Sequence, residues 1–230
     1  MADLVRSGVD KPFPVHGGRL CTHVRSIAVL PPAFAFPRRL PHEDAVKSRI
    51  EAAIFDTLTA LGYTAVPSGT VQQALRGLIS LRDPGDGPPS ERAPGRRPDS
   101  LKQECLRELR RALLIDAILY PEIVVVQAVC NGGIASWYGA VQKVYTPCKA
   151  LLELMSAPAC SKVPALSILV HIHDMEDSQI YINAAGIEVL QMMGVGRLID
   201  VPARRLLKNG LRNRRAVQGA LAGLRGTGDP

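Results

Sequence analysis

Aromatic side chains are scarce in this chain. They make up 4% of the 230 residues, and only one is a tryptophan. Single-strand nucleic-acid binding usually adds base-stacking rings, and none follows Tyr181. Long apolar runs are missing as well. No stretch of about 18 uncharged apolar residues exists, so the sequence writes no transmembrane helix. Asp3, Arg6, Asp10, Lys11 and Arg19 interrupt the N-terminal segment and leave no apolar h-region for a signal peptide. No C-x-x-C pair occurs, and the odd count of 5 cysteines argues against a full disulfide framework. Cys105 and Cys130 sit in apolar patterns, as small buried hydrophobes do. Cys148 with Cys160 could form one bridge in an oxidising compartment.

Catalytic signatures are equally lacking. There is no G-x-S-x-G elbow, no H-E-x-x-H helix and no phosphate-binding G-x-x-x-x-G-K-[ST] loop. Gly194 and Gly196 begin a dinucleotide-like fingerprint. The third glycine is absent, and the pattern reads as a loop that ends a helix. No catalytic residue is assigned on this basis, and no cofactor is expected.

What the chain does have is globular composition, with 47% hydrophobic and 21% charged residues. Its net charge is +7, from 28 bases and 21 acids. Residues 201–225 hold Arg204, Arg205, Lys208, Arg212, Arg214, Arg215 and Arg225, seven bases and no acid. The remaining 21 bases balance the 21 acids, so the C-terminal segment carries the whole excess. Such a local excess points to a polyanionic or acidic partner. Its plainer reading is a solvated helix face.

Residues 1–23 lack periodicity and read as a flexible N-terminal arm. Residues 24–225 read as a single mixed α/β domain, and 226–230 as a tail. Val24 to Leu30 is a strand stopped by Pro31 and Pro32, and 33–42 reads as a loop. Val46, Ile50, Ile54, Leu58 and Leu61 predict one helical stripe, stopped at Gly62. A short strand, Tyr63 to Val66, and a helix carrying Val71, Leu75, Leu78 and Ile79 follow. Residues 82–99 are rich in proline, glycine and balanced charge and read as a disordered insertion. Leu101, Cys105, Leu109 and Ala112 mark the next helix.

Pro121 separates Ala117–Tyr120 from a β-branched strand, Ile123 to Val129. Asn131, Gly132 and Gly133 form a turn signal, and Ala135 to Tyr145 answers as the partner strand of a β-hairpin. A helical turn is expected near Lys149 to Met155, then a strand from Ala165 to His173 and a pairing strand from Gln179 to Asn183. Ile187 to Met193 reads as helical. Two basic helices follow, Ala203 to Lys208 and Leu211 to Arg225, split by Asn209 and Gly210. The fold class is α/β (α+β): a mixed sheet with a β-hairpin and helices packed on its faces.

Three sets of residues carry candidate chemistry. His171 and His173 lie two apart on a strand and share a face, with Asp174, Glu176 and Asp177 just beyond. Two imidazoles and a carboxylate can hold zinc or another transition metal. A polar strand face ending in an acidic turn gives the same pattern. Trp137 and Tyr138 are candidate partner contacts, or a cross-strand packing pair. Arg204, Arg205, Lys208, Arg212, Arg214 and Arg215 are candidate polyanion contacts. Gly186 marks a tight approach of backbone to sheet at the corner following Gln179.

Several segments also carry a family resemblance. Val24 to Pro32 (VRSIAVLPP) resembles the opening strand of bacterial envelope domains with a TolB amino-terminal-like fold. That group includes the curli secretion channel subunit family and the lipoproteins that activate penicillin-binding proteins. The helix end at Leu61, Gly62 and Tyr63, with Val66 and Pro67 after it, fits the same pattern. Leu113 to Tyr120 (LLIDAILY) is similar to the family's helix-to-strand junction, and Ala135 to Gly139 (ASWYG) to its second hairpin strand. The resemblance covers most of residues 24–193. It implies a non-catalytic protein-interaction or assembly module of the cell envelope or a secretion system, with a protein partner there.

As written, without a leader or a lipobox cysteine, the chain reads as cytoplasmic. The resemblance would place it in the periplasm or at the outer membrane, with membrane association requiring an upstream anchor. A homo-oligomer is left open. The competing readings are a cytoplasmic nucleic-acid-associated protein using the basic C-terminus, which is the less expected, and a metal-dependent enzyme at His171 and His173.

Overall fold

The computed structural model describes residues 24–36, 39–82, 98–144, 161–194 and 197–224, with no side-chain detail for 78–82 and 98–105. The expected arm at 1–23, the body of the insertion at 83–97, the helical turn near 149–155, Cys148, Cys160 and the tail at 226–230 lie outside the described residues. Among the described residues the chain is one mixed α/β domain with helices on both faces of a sheet.

The organising strand is β4 (Ala117–Asn131). Along one edge it pairs antiparallel with β7 (Lys162–Asp174) over its length, from Ala117 opposite Asp174 to Val129 opposite Lys162. Strand β7 pairs in turn with β8 (Gln179–Val189). The other edge of β4 takes three short partners in succession. β1 (Ser26–Val29) lies parallel to Ala117–Leu119, β2 (Ala33–Ala35) parallel to Glu122–Val124, and β5 (Ile134–Trp137) antiparallel to Val129–Asn131. β3 (Thr64–Val66) extends the sheet beyond β1.

Two expectations fail here for one reason. Pro121 does not end the strand, and 33–42 is not all loop. Pro31 and Pro32 interrupt the β1–β2 edge opposite Pro121 of the continuous β4, so the missing N–H groups fall in a shared gap of that ladder. Pairing resumes beyond it. Asp116, at the helix-to-strand junction, accepts the backbone N–H groups of Arg25 and Ser26 and fixes where β1 enters.

Helix α1 (Glu43–Ala60) buries Val46, Ile50, Ile54 and Leu58, the stripe read from sequence. Together with α4 (Gly210–Leu221) it covers the sheet face made by Leu119, Ile123, Ile168, Val170 and Ile172. α2 (Ser68–Arg82) and α3 (Pro98–Leu113) cover part of the opposite face, over Ala28 and Ile118. The expected helix at 203–208 is only a 3-10 turn, Ala203–Arg205. Leu206 then runs extended and Leu207 is left-handed at φ 56°. Asn209 opens α4, its side chain accepting the Arg212 N–H.

The segment read as helical from Ile187 to Met193 is β-structure. It forms the end of β8 and then β9 (Gln191–Gly194), which pairs with β10 (Arg197–Asp200). Gly194 therefore ends a strand. The hairpin also differs from expectation. Ala135 to Tyr145 is not one strand, because Tyr138 (φ 38°) and Gly139 (φ 75°) form a left-handed two-residue turn between β5 and β6 (Ala140–Lys143).

That hairpin folds back toward β8. The Tyr138 carbonyl accepts the Gly186 N–H at 3.1 Å, and Gln142 Oε1 accepts the Val189 N–H at 3.2 Å. Trp137, 7% exposed, donates its indole N–H to the Leu166 carbonyl at 3.2 Å. The register slips beside that carbonyl: Leu166 faces Glu188 while Ser167 faces Gly186. Gly186 is needed for the approach, since a Cβ there would lie 2.5 Å from both Trp137 Nε1 and Ala140 Cβ. The enclosed core holds Val126, Ala128, Cys130, Ala135, Val163 and Val189. Gly186→Ala should cost about 1–3 kcal/mol in urea unfolding. In a Trp137→Leu background the same substitution should cost less, because the part of the clash that falls on the indole is relieved while the part on Ala140 Cβ remains. Equal costs in both backgrounds would remove the indole from this account.

Candidate functional site

The structure places part of two candidate sets together. A groove of about 410 Å³ runs between the hairpin tip and α4, lined by Tyr138 and Gln142 on one wall and Arg212 and Arg215 on the other. Gly186 and Gly219 are also among its lining residues. Trp137 lines it too, but is buried and hydrogen-bonded inward. Of the two aromatic candidates, Trp137 is built into the wall, and Tyr138 is half-buried against the hairpin core and lines the groove.

Helix α4 is held against β8 by a set of residues that the sequence reading did not single out. Tyr181 is buried and donates its hydroxyl to the Ala220 carbonyl at 2.6 Å. Burial pushes its hydroxyl above the ordinary tyrosine value, outweighing the bonds from Asn183 and Gly223 that pull it down. Asn183 donates to Tyr181 and to the Gly219 carbonyl. Gly219 brings α4 close, since a Cβ there would meet Ala185 Cβ at 3.2 Å. A polar residue alternating with apolar ones along a buried strand was the available signal.

Charge at the groove is set by Glu188. It is 8% exposed, and its Oε1 accepts the Leu207 N–H. Arg212 spans from Gln142 Oε1, at 3.2 Å, to Glu188 Oε2, at 3.9 Å. Burial pushes the Glu188 carboxyl above the ordinary 4.5, while the Leu207 bond, Arg212 and His42 pull the other way. Arg212 is thus partly neutralised and positioned. Arg215 is exposed and has no acidic partner among the described residues.

The other basic candidates lie elsewhere. Arg214 points to α1 and pairs with Asp56 at 2.5 Å. It lines a wider groove of about 710 Å³ between α1 and α4, where its charge is already met. Arg204, Arg205 and Lys208 are exposed on the turn before α4. The six candidates therefore do not share one helix face.

His171 and His173 share a strand face as expected, with ring centroids 6.5 Å apart. They lie opposite the face covered by α1 and α4. Among the described residues no group of three or more histidine, cysteine, aspartate or glutamate side chains is arranged to hold a metal. No helix among the described residues is long and apolar enough to cross a membrane.

No protein-family model and no curated protein matches the chain. Among the solved structures to which it is loosely similar are two of bacterial proteins. One is the lipoprotein GNA1162 from Neisseria meningitidis, at 13% identity and TM-score 0.35, covering 71% of this chain and 79% of that one. The other is a neuraminyllactose-binding hemagglutinin homolog from Helicobacter pylori, at 10% identity and TM-score 0.31, covering 85% of this chain and 83% of that one.

A carboxyl whose folded pKa is raised holds its proton more tightly in the folded state. Stability attributable to it is full below about 4.5 and is lost as pH rises through the folded value. Glu188→Gln keeps an acceptor for Leu207 and removes the ionisation. Urea unfolding at pH ~4 and pH ~7 should show the variant losing less stability than the wild type over that interval. A difference that does not change with pH would contradict the burial-driven shift.

Proposed function

We propose that the protein works by contact rather than by catalysis, holding an acidic, extended protein segment in the groove between Tyr138 and α4. One observation carries the reading: a cleft of about 410 Å³ brings an aromatic turn residue and two arginines together and contains no acidic lining residue. A carboxylate entering it would meet Arg215 first, with Arg212 already oriented by Gln142 and Glu188. Tyr138 adds a flat apolar surface with little conformational freedom to lose, because the turn fixes its backbone.

The residues that resemble the envelope domains extend the proposal to a partner in the bacterial envelope or a secretion system. The nucleic-acid alternative has less support. A phosphate-tracking surface needs its cations in a row, whereas Arg214 is engaged by Asp56 on another flank and Arg212 is tied to Glu188. The enzyme alternative has no nucleophile, base and orienting group gathered among the described residues to support it.

The test uses labelled extended peptides rich in aspartate and glutamate, alongside sequence-matched amide versions, titrated against the protein. Acidic peptides should bind and the amides should not. Arg215→Glu and Tyr138→Ala should each weaken binding about tenfold or more, with melting temperatures close to wild type. Binding of the amide peptides with equal affinity, or indifference to Arg215→Glu, would overturn the proposal. Tight binding of DNA that depends equally on Arg204, Arg205 and Arg215 would favour the nucleic-acid reading instead.

A further inference from the structure

We infer that His171 and His173 form an open two-histidine site for a borderline divalent transition-metal ion, independent of the groove. The argument starts from the strand. Residues two apart on β7 present their side chains on one face, and the rings lie side by side with centroids 6.5 Å apart. Each ring is held at the same atom. His171 Nδ1 lies 3.1 Å from Gln179 Oε1. His173 Nδ1 lies 3.3 Å from both the Asp177 carbonyl and its carboxylate. These oxygens accept, so in the neutral rings Nδ1 carries the proton and Nε2 the lone pair. That is the arrangement in which an outer oxygen orients a metal-binding imidazole and raises its basicity.

The surroundings hold both acceptors in place. Asp174 Oδ1 accepts the N–H groups of Glu176 and Ser178, closing the turn that carries Asp177 in a left-handed conformation (φ 65°). The register slips between Ile172 and His173, setting Gln179 opposite His173 while its side chain reaches His171. Tyr120 packs edge-on against His173 at 5.3 Å and limits its rotation. Neither Nε2 has a hydrogen-bond partner among the described residues. With metal–nitrogen distances near 2.0–2.1 Å, a shared ion requires the two Nε2 atoms to turn toward one another and the rings to draw closer than their present centroid separation. His173 is 26% exposed on its side chain, so water can fill the positions the protein leaves open. Imidazole donors favour Cu(II) over Ni(II) and Zn(II).

The experiment is a Cu(II) titration of the full chain, followed by the copper EPR spectrum and by competition with Zn(II). The expected result is a single tight site with nitrogen coordination, lost in both His171→Gln and His173→Gln. Gln179→Leu, which removes only the outer acceptor, should weaken binding about tenfold or more. His16→Gln/His23→Gln should bind as wild type does. Circular dichroism melts establish that each variant is folded, and the doubly substituted Arg215→Glu/Tyr138→Ala protein should keep the metal. Retention of the nitrogen signal in folded His171→Gln/His173→Gln would overturn the inference. So would its loss in His16→Gln/His23→Gln, or no stoichiometric binding by the wild type.

Discussion

The absence of a side chain at Gly186 is the constraint on which the docking of the hairpin, and with it the groove, rests. Only a bare Cα lets the Trp137 indole lie against β8 and reach the Leu166 carbonyl. A slipped register leaves that carbonyl available, and the indole N–H satisfies it where water cannot. The closure carries the hairpin tip over to α4. Without it, Tyr138 and Gln142 would stand away from Arg212 and Arg215, and the groove would have one wall.

The second wall depends on a different kind of interaction. Helix α4 carries arginines on several sides, so a simple amphipathic face does not determine how it sits. Tyr181 and Asn183 reach from β8 to its last carbonyls, and Glu188 reaches from the same strand to its first turn and to Leu207. These contacts put three polar side chains from one strand beneath one helix. An unpaired buried carboxylate would be costly, which is why Arg212 is drawn inward and Arg215 is left as the outward-facing cation.

Much of the scaffold was legible. The stripe Val46, Ile50, Ile54 and Leu58 specifies α1, and the alternation Leu166, Ile168, Val170 and Ile172 specifies the face of β7 that packs on it. The failures have physical causes. Ile187 to Met193 is a short, densely apolar run in which a strand buried on both sides and a helix look alike. Pro121 breaks a strand only where a ladder N–H is required, and its neighbours supply a gap. Tyr138 is a strand former by propensity, but Gly139 beside it makes the tight turn cheap enough for a left-handed tyrosine. The groove itself was not legible, because Tyr138 and Arg215 are brought together only by the closure over Gly186. The histidine pair was legible as a shared face. Its oxygen partners were not, since a register slip sets Gln179 in place.

The groove and the histidine pair lie at different points along one sheet. Leu166 and His171 are five residues apart on β7, roughly 17 Å along an extended strand. The even-numbered residues of that strand face α1 and α4, and the histidines face the other side. Any coupling between a segment in the groove and an ion at the histidines would have to pass through β7 and β8, which are paired along their length and anchored by β4. A close-packed antiparallel sheet has no second arrangement at hand to transmit such a signal. The paired central strands therefore act as a rigid spacer along the sheet, so that substitutions at the groove and at His171 and His173 should leave one another's surroundings unchanged.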